Sequence, residues 1–177
     1  MSLQRRYPLI AAAAVIAAIV LVPLFRAQGP AVSGPAGMVG QSAPVFALRD
    51  DRGKAASLDQ YRGKIVVMNL WASWCPPCRA EMPDLQTVAR EYAADGVVVV
   101  GVNEGESPAH AAAFARSLRI AFPIWMDEGQ RYGRVYAALG LPTTIVIDRR
   151  GTVLRGFDGP LTIEQMRATL AQVVRAS

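Results

Sequence analysis

The sequence predicts an α/β sandwich of three layers, with a mixed sheet between helices. Three observations carry that expectation. The runs at 65–71 and 97–102 are apolar on both faces, as strands in the middle of a sheet are. The segments that come after them carry apolar stripes at helical spacing. The chain then closes on two strand-like runs around a glycine-containing turn, followed by a capped helix.

In chain order, residues 9–25 are uncharged, rich in Ala, Val, Ile and Leu, and preceded by Arg5 and Arg6. A membrane span needs roughly 17–25 such residues. A cleavable signal peptide is the competing reading. Its apolar region is about 7–15 residues long and is followed closely by small residues. Here Phe25 and Arg26 follow, which favours an uncleaved single-pass anchor at 1–27. The arginines would keep its short end in the cytoplasm. Either reading exports the remainder of the chain, to an extracytoplasmic, periplasmic site at a bacterial-type inner membrane. Residues 28–40 hold Gly29, Gly34, Gly37, Gly40, Pro30 and Pro35, a linker composition. The domain is expected over 41–177.

Within it, 45–48 and 55–58 read as strands of a hairpin around the turn at 50–53, and 64–71 as a buried strand. A helix is expected from about 76 to 94, with Met82, Leu85, Val88, Ala89 and Tyr92 on its buried face and a kink at Pro83. Ser107-Pro108 is a helix start, with Ser as cap and Pro at the first position; Phe114, Ala115 and Leu118 mark its inner side. A short strand at 123–126, a short helix at 129–138 and a hairpin of 143–147 with 152–157 come next. The last helix opens on Thr162 and Gln165, a capping-box pair, and its stripe is Ile163, Met166, Leu170, Val173 and Val174.

The formal charge is +5, but Arg5, Arg6 and Arg26 supply three of the 19 basic residues and no acid precedes residue 34. The remainder is nearly balanced and has no long basic run, which argues against nucleic acid as a partner. The chain holds two cysteines, Cys75 and Cys78. One pair cannot staple an exported scaffold, so the core must come from hydrophobic burial, for which this length suffices. The cysteines are free for chemistry.

Trp74-Cys75-Pro76-Pro77-Cys78 sits where the strand at 64–71 meets its helix. Thiol-disulfide exchange needs a thiolate with an open line to a sulfur. A helix N-terminus supplies unpaired amides and a dipole that favour the anion, lowering the thiol from about 8.5. Cys75 is expected as the exposed attacking thiol. Cys78, one turn in, would resolve the mixed disulfide. Pro76 fits the first helical position, and Pro77 stiffens the bridge.

The stretch at 67–83, Val-Met-Asn-Leu-Trp-Ala-Ser-Trp-Cys-Pro-Pro-Cys-Arg-Ala-Glu-Met-Pro, together with Gly140-Leu141-Pro142-Thr143-Thr144, resembles the thioredoxin fold. More narrowly it is similar to membrane-anchored thiol-disulfide oxidoreductases of the TlpA/ResA type, with the CcmG/DsbE type close by. The N-terminal hairpin, the helix-strand insertion at 107–126 and the 102–107 segment match that subgroup. The likeness spans about 41–175. It implies a cis Pro142 facing the disulfide, with Trp74, Pro76, Pro77, Leu141 and Thr143 on the client-facing side. It also implies reduction of client proteins such as apocytochrome c, electrons from a membrane reductase of the CcdA/DsbD type, and no cofactor.

Asn69 stands where the resembled cytoplasmic thioredoxins place a buried aspartate. An asparagine cannot act as a base. Glu81 matches an acidic position of the ResA-like subgroup and shares a helix face with Cys78. Two readings of Glu81 stand: a partly buried acceptor for the resolving thiol's proton, or a surface acid in a first helical turn. Trp71 reads as core and Trp74 as rim. Glu104 and Glu106 read as solvated loop acids or helix-start acids, and His110 as an exposed residue without a metal role. The alternatives are a copper-delivery module, a general disulfide oxidase and a peroxidase. Copper sites of related folds want wider cysteine spacing and a histidine near the cis-proline loop. Peroxidatic chemistry wants a single-cysteine context.

Overall fold

The computed structural model describes residues 34–176. The expected anchor at 1–27 and the first part of the expected linker at 28–40 lie outside the described residues. Among the described residues no helix is long and apolar enough to cross a membrane.

The strands are β1 (Leu48–Asp50), β2 (Ala55–Ala56), β3 (Ile65–Trp71), β4 (Val97–Glu104), β5 (Ile124–Asp127), β6 (Thr143–Ile147) and β7 (Val153–Asp158). They form one sheet in the order β2-β1-β5-β4-β3-β6-β7. β3, β4 and β5 run parallel, while β1 and β6 run antiparallel to their neighbours. The helices are α1 (Pro76–Glu91), α2 (Pro108–Ser117), α3 (Arg131–Val135) and α4 (Ile163–Ala176).

Every residue of β3 is buried, and strand alternation divides them between two cores. Ile65, Val67 and Trp71 face α1, α2 and α4, where Met82, Leu85, Val88, Ala111, Ala115, Met166 and Leu170 pack. Val66, Met68 and Leu70 face the other way, against Trp125, Tyr132, Tyr136, Ile145 and Leu58. Each large side chain buried this way contributes about 1.5–3 kcal/mol. Gly101 sits in the middle of β4 because Trp71 needs the space: a Cβ there would stand 2.9 Å from the indole nitrogen.

Several boundaries differ from the expectation, each for a local reason. The first strand is three residues later than 45–48. Asp50 Oδ1 accepts the Arg52 and Lys54 amides and fixes the turn, and Arg49 then pairs with Met126. Phe46 leaves the strand and packs on the Tyr132 ring at 4.8 Å. After β2, Ser57 caps a 3-10 turn at Leu58–Tyr61 with a full capping box. α1 runs through Pro83 and stops at Glu91. The helix expected at 129–138 shrinks to Arg131–Val135, because Gln130 and Ala137 take left-handed conformations at φ 52° and 48°.

Residues 34–40, expected as linker, are docked on the domain. Pro35–Met38 forms a 3-10 turn with Pro35 buried. Gly156 of β7 accommodates it: a Cβ at Gly156 would lie 2.6 Å from the Pro35 carbonyl oxygen. Gly40 N donates to Val153 O at 2.8 Å, Val153 N to Gln41 O at 2.9 Å and Ala43 N to Gly151 O at 2.8 Å. This segment covers the otherwise open edge of β7.

Glu104 is a correction. It is 4% exposed at the end of β4, opposite Asp127 of β5, and its Oε1 has no protein partner. Strand alternation turns it toward α3, away from solvent. Burial, then the Asp127 charge, pushes its carboxyl up to about 7 against partial relief from the Gly133 amide and Arg134. With the folded value raised, Glu104's stabilising contribution is complete below about 4.5 and lost as pH rises through about 7, to a limit of about 3 kcal/mol. Thermal unfolding at pH 5 and pH 8 should therefore show the wild type losing stability with rising pH. Glu104→Gln should be flatter and more stable at pH 8; parallel curves would refute the assignment.

Candidate active site

The register of β3 collects the site at one end of the sheet. Trp71 pairs with Asn103 on the β4 side, and Leu70 pairs with Thr143 on the β6 side. The loop before β6 and the loop after β4 therefore meet the turn from β3 into α1. This is the carboxyl end of the parallel strands, where α/β sheets gather their sites.

Cys75 is the N-cap of α1 and Cys78 lies in its first turn. The two are joined in a disulfide, with Cα atoms 5.3 Å apart. The Cys78 amide donates to Cys75 Sγ at 3.3 Å. In the reduced form the same donor and the helix dipole stabilise a thiolate at Cys75. The expected order of exposure holds, but the expected openness does not: Cys75 is only 3% exposed and Cys78 is fully enclosed. Of the two residues between the cysteines, Pro76 is exposed and Pro77 half-buried. Trp74 stands out at 65% exposed beside it, and Trp71 is core, as the sequence suggested.

The Leu141–Pro142 peptide is cis. Pro142 O accepts the Gly159 amide at 2.9 Å, which ties the loop to the end of β7. Leu141 is half-buried. Thr143, expected on the client-facing side, is a correction: its side chain is enclosed. Its hydroxyl is shared between Gly140 O at 2.7 Å and Asp158 Oδ1 at 3.1 Å. It shapes the loop from within. Leu139, just upstream, is strongly exposed and was not singled out by the sequence.

Glu81 is buried, which removes the surface reading. Asn69 Nδ2 donates to Glu81 Oε1 at 2.7 Å and to Thr144 Oγ1 at 3.0 Å. The Leu161 amide donates to Glu81 Oε2 at 3.1 Å. Burial raises the carboxyl above its ordinary value, the Leu161 and Asn69 bonds restrain the rise, and Asp84 adds to it. Asn69 is thus a clasp that joins α1 to the strand following the cis proline.

Glu106 is a second correction. It is enclosed by Ser73 and Asn103, where the sequence reading had a solvated acid. His110 is exposed as expected, but its Nε2 reaches Ser73 Oγ at 2.9 Å and Glu106 Oε1 at 3.6 Å. Spacing alone could not show that Ser73, Asn103, Glu106 and His110 converge.

Comparison with known proteins agrees with this geometry. A family profile described as AhpC/TSA matches residues 39–155. The chain is 36% identical over 135 residues to a protein named thiol-disulfide oxidoreductase ResA from Geobacillus thermodenitrificans, covering 76% of this chain and 78% of that one. It is 37% identical over 134 residues to the thioredoxin-like protein YneN of Bacillus subtilis, with 74% and 78% covered. Among solved structures, a Chlorobium tepidum protein assigned as thiol:disulfide interchange protein DsbE superposes with a TM-score of 0.72. It shares 30% identity, over 77% of this chain and 97% of that one. The fold is thus a thioredoxin-like α/β sandwich with a mixed sheet.

Replacing Asn69 by Leu removes one of the bonds that restrain Glu81. The Glu81 titration, followed by side-chain carboxyl NMR, should move further up. Chemical unfolding should show a loss of about 1–3 kcal/mol from the unpaired buried groups. A Glu81 midpoint that stays or falls would refute the clasp.

Proposed function

We propose, for a chain that belongs to the AhpC/TSA family and is a thiol-disulfide oxidoreductase of the ResA and DsbE type, that it reduces disulfides of selected client proteins outside the cytoplasm. The observation that carries the reading is the Cys75–Cys78 disulfide at the N-terminus of α1; the cis Leu141–Pro142 peptide just ahead of β6, the strand paired with β3, supports it. The apolar run at 9–25 supports a membrane anchor, hence a single-pass protein with its domain on the extracytoplasmic side. The resemblance of residues 67–83 and 140–144 to the TlpA/ResA type implies the haem-attachment cysteines of apocytochrome c as the client class. A membrane reductase of the CcdA/DsbD type would then resupply electrons.

In the proposed cycle the Cys75 thiolate attacks one sulfur of the client disulfide. A Cys75–client disulfide forms and one client thiolate leaves. The Cys78 thiol then loses its proton, and its sulfur attacks Cys75 Sγ. The client's second thiolate departs and the Cys75–Cys78 disulfide closes. Two electrons pass from the enzyme dithiol to the client. Glu81 accepts the Cys78 proton: it lies one turn on along the same buried face of α1, and its raised carboxyl suits proton exchange nearer neutrality. The exposed Trp74 and Leu139 supply apolar contact for a client segment at the disulfide.

Cys75→Ser should abolish client reduction, and Cys78→Ser should accumulate a mixed disulfide visible on non-reducing gels. Retained activity in Cys75→Ser would end the reading. The Cys75–Cys78 potential, measured against glutathione, should fall nearer the reducing end of the roughly −270 to −120 mV range of thioredoxin-like proteins; an oxidising value would reverse the direction of electron flow. In stopped-flow measurements the resolving step should quicken with pH as Glu81 ionises, since only the carboxylate can take the proton. Glu81→Gln should lose that rise and run at least about tenfold slower. An unchanged profile would remove Glu81 from the proton path.

A further inference from the structure

Ser73, Glu106 and His110 have the residue types of a hydrolytic triad, and their geometry excludes that use. Ser73 Oγ lies 2.5 Å from Glu106 Oε1, which can only accept. The hydroxyl proton is therefore committed to Glu106, and Ser73 Oγ accepts from His110 Nε2–H at 2.9 Å. A nucleophilic serine needs the reverse, with the histidine accepting the hydroxyl proton. Ser73 is also only 7% exposed. It is a bridge, and what it bridges is the loop that carries the reactive cysteine.

We propose that Glu106 is a positioning residue for Cys75: from the loop after β4 it grips the Ala72–Trp74 turn and holds Cys75 at the N-cap of α1. The grip is two-pronged. Glu106 Oε2 accepts the Ser73 backbone amide at 2.7 Å and Oε1 accepts the Ser73 hydroxyl. Glu106 is itself fixed. Asn103 Nδ2 donates to Oε2 at 2.6 Å, Asn103 Oδ1 accepts the Glu106 amide at 3.3 Å, and Asn103 pairs in register with Trp71. Ser107 caps α2 by accepting the His110 amide, which brings His110 over the same carboxylate.

The clamp thus runs from β4 through Glu106 to Ser73, two residues before Cys75, whose own amide closes the turn on Ala72 O at 3.2 Å. Burial alone would raise the Glu106 carboxyl, but the bonds from Ser73 and Asn103 and the nearby His110 outweigh it and hold it below the ordinary range. The clamp is therefore an anion at neutral pH. As a bare charge, an anion this near would disfavour a Cys75 thiolate. Its positional effect is opposite, because it keeps the sulfur on the Cys78 amide and the helix dipole. The two effects predict opposite outcomes when Glu106 is neutralised.

The inference rests on the oxidoreductase reading, but its test needs no client. The rate of iodoacetamide alkylation of Cys75 is measured against pH in reduced full-length protein carrying Cys78→Ala. The same background is compared with Ser73→Ala and with Glu106→Gln added. Ser73→Ala keeps the carboxylate and its Asn103 bond, removes one prong, and is expected to fold. Both variants should be alkylated about three- to tenfold more slowly at pH 7, with the Cys75 inflection moving toward the free-thiol value of about 8.5. Faster alkylation in Glu106→Gln would mean that Glu106 acts through its charge, and the clamp would be rejected. Unchanged rates in Ser73→Ala, with at most a lower melting temperature, would show a merely structural network and reject it too. Failure of the parent protein to reduce any disulfide would sink the functional reading and leave this comparison intact.

Discussion

The arrangement depends on the burial and double pairing of β3. Its seven residues are all enclosed, and it is hydrogen-bonded to β4 on one side and β6 on the other. A slip by one residue would exchange its two faces, sending Asn69 and Trp71 into one core and Met68 and Leu70 into the other. The register is therefore fixed by the packing of both layers. Because β4 is parallel and β6 antiparallel to β3, the end of one and the start of the other fall at the same edge. The disulfide, the cis-proline loop and the Glu106 loop share a location for that reason.

Three glutamates lie near this edge, and their surroundings give them different characters. Glu81 is buried with two donors, and burial lifts its carboxyl above the ordinary value. Glu106 is enclosed but richly bonded and stays ionised. Glu104, one strand residue past Asn103, points to the opposite layer with one oxygen unpaired. Residue type settles none of this. The balance of lost hydration against available donors does, and strand alternation decides which donors are available.

That balance also marks what could be read from the chain. The buried strands, the Ser107-Pro108 start, the Thr162–Gln165 box and the Cys-Pro-Pro-Cys turn are written in local spacing, and all appear in the structure. The cis Pro142 was legible through family likeness, since its local context is also that of an ordinary strand start. Glu104, Glu106 and Thr143 were misread because their burial is set by partners 15 to 33 residues away. The short α3 was overextended because the left-handed residues at its ends are Gln130 and Ala137, types that rarely announce such a conformation. The docking of residues 34–40 was hidden in Gly156, whose missing side chain makes room for Pro35.

That docking has a mechanical side. A pull on the chain ahead of Gly34 would load the Pro35–Gly156 contact and then the bonds that join Gly40, Gln41 and Ala43 to residues 151–153. These lie at the outer edge of the sheet, two strands away from β3. Tension would peel this short ladder before it reached the strands that set the cysteine geometry. The segment would then serve as a strain relief, taking up drag at the border of the sheet before it reached the strands that hold the cysteines.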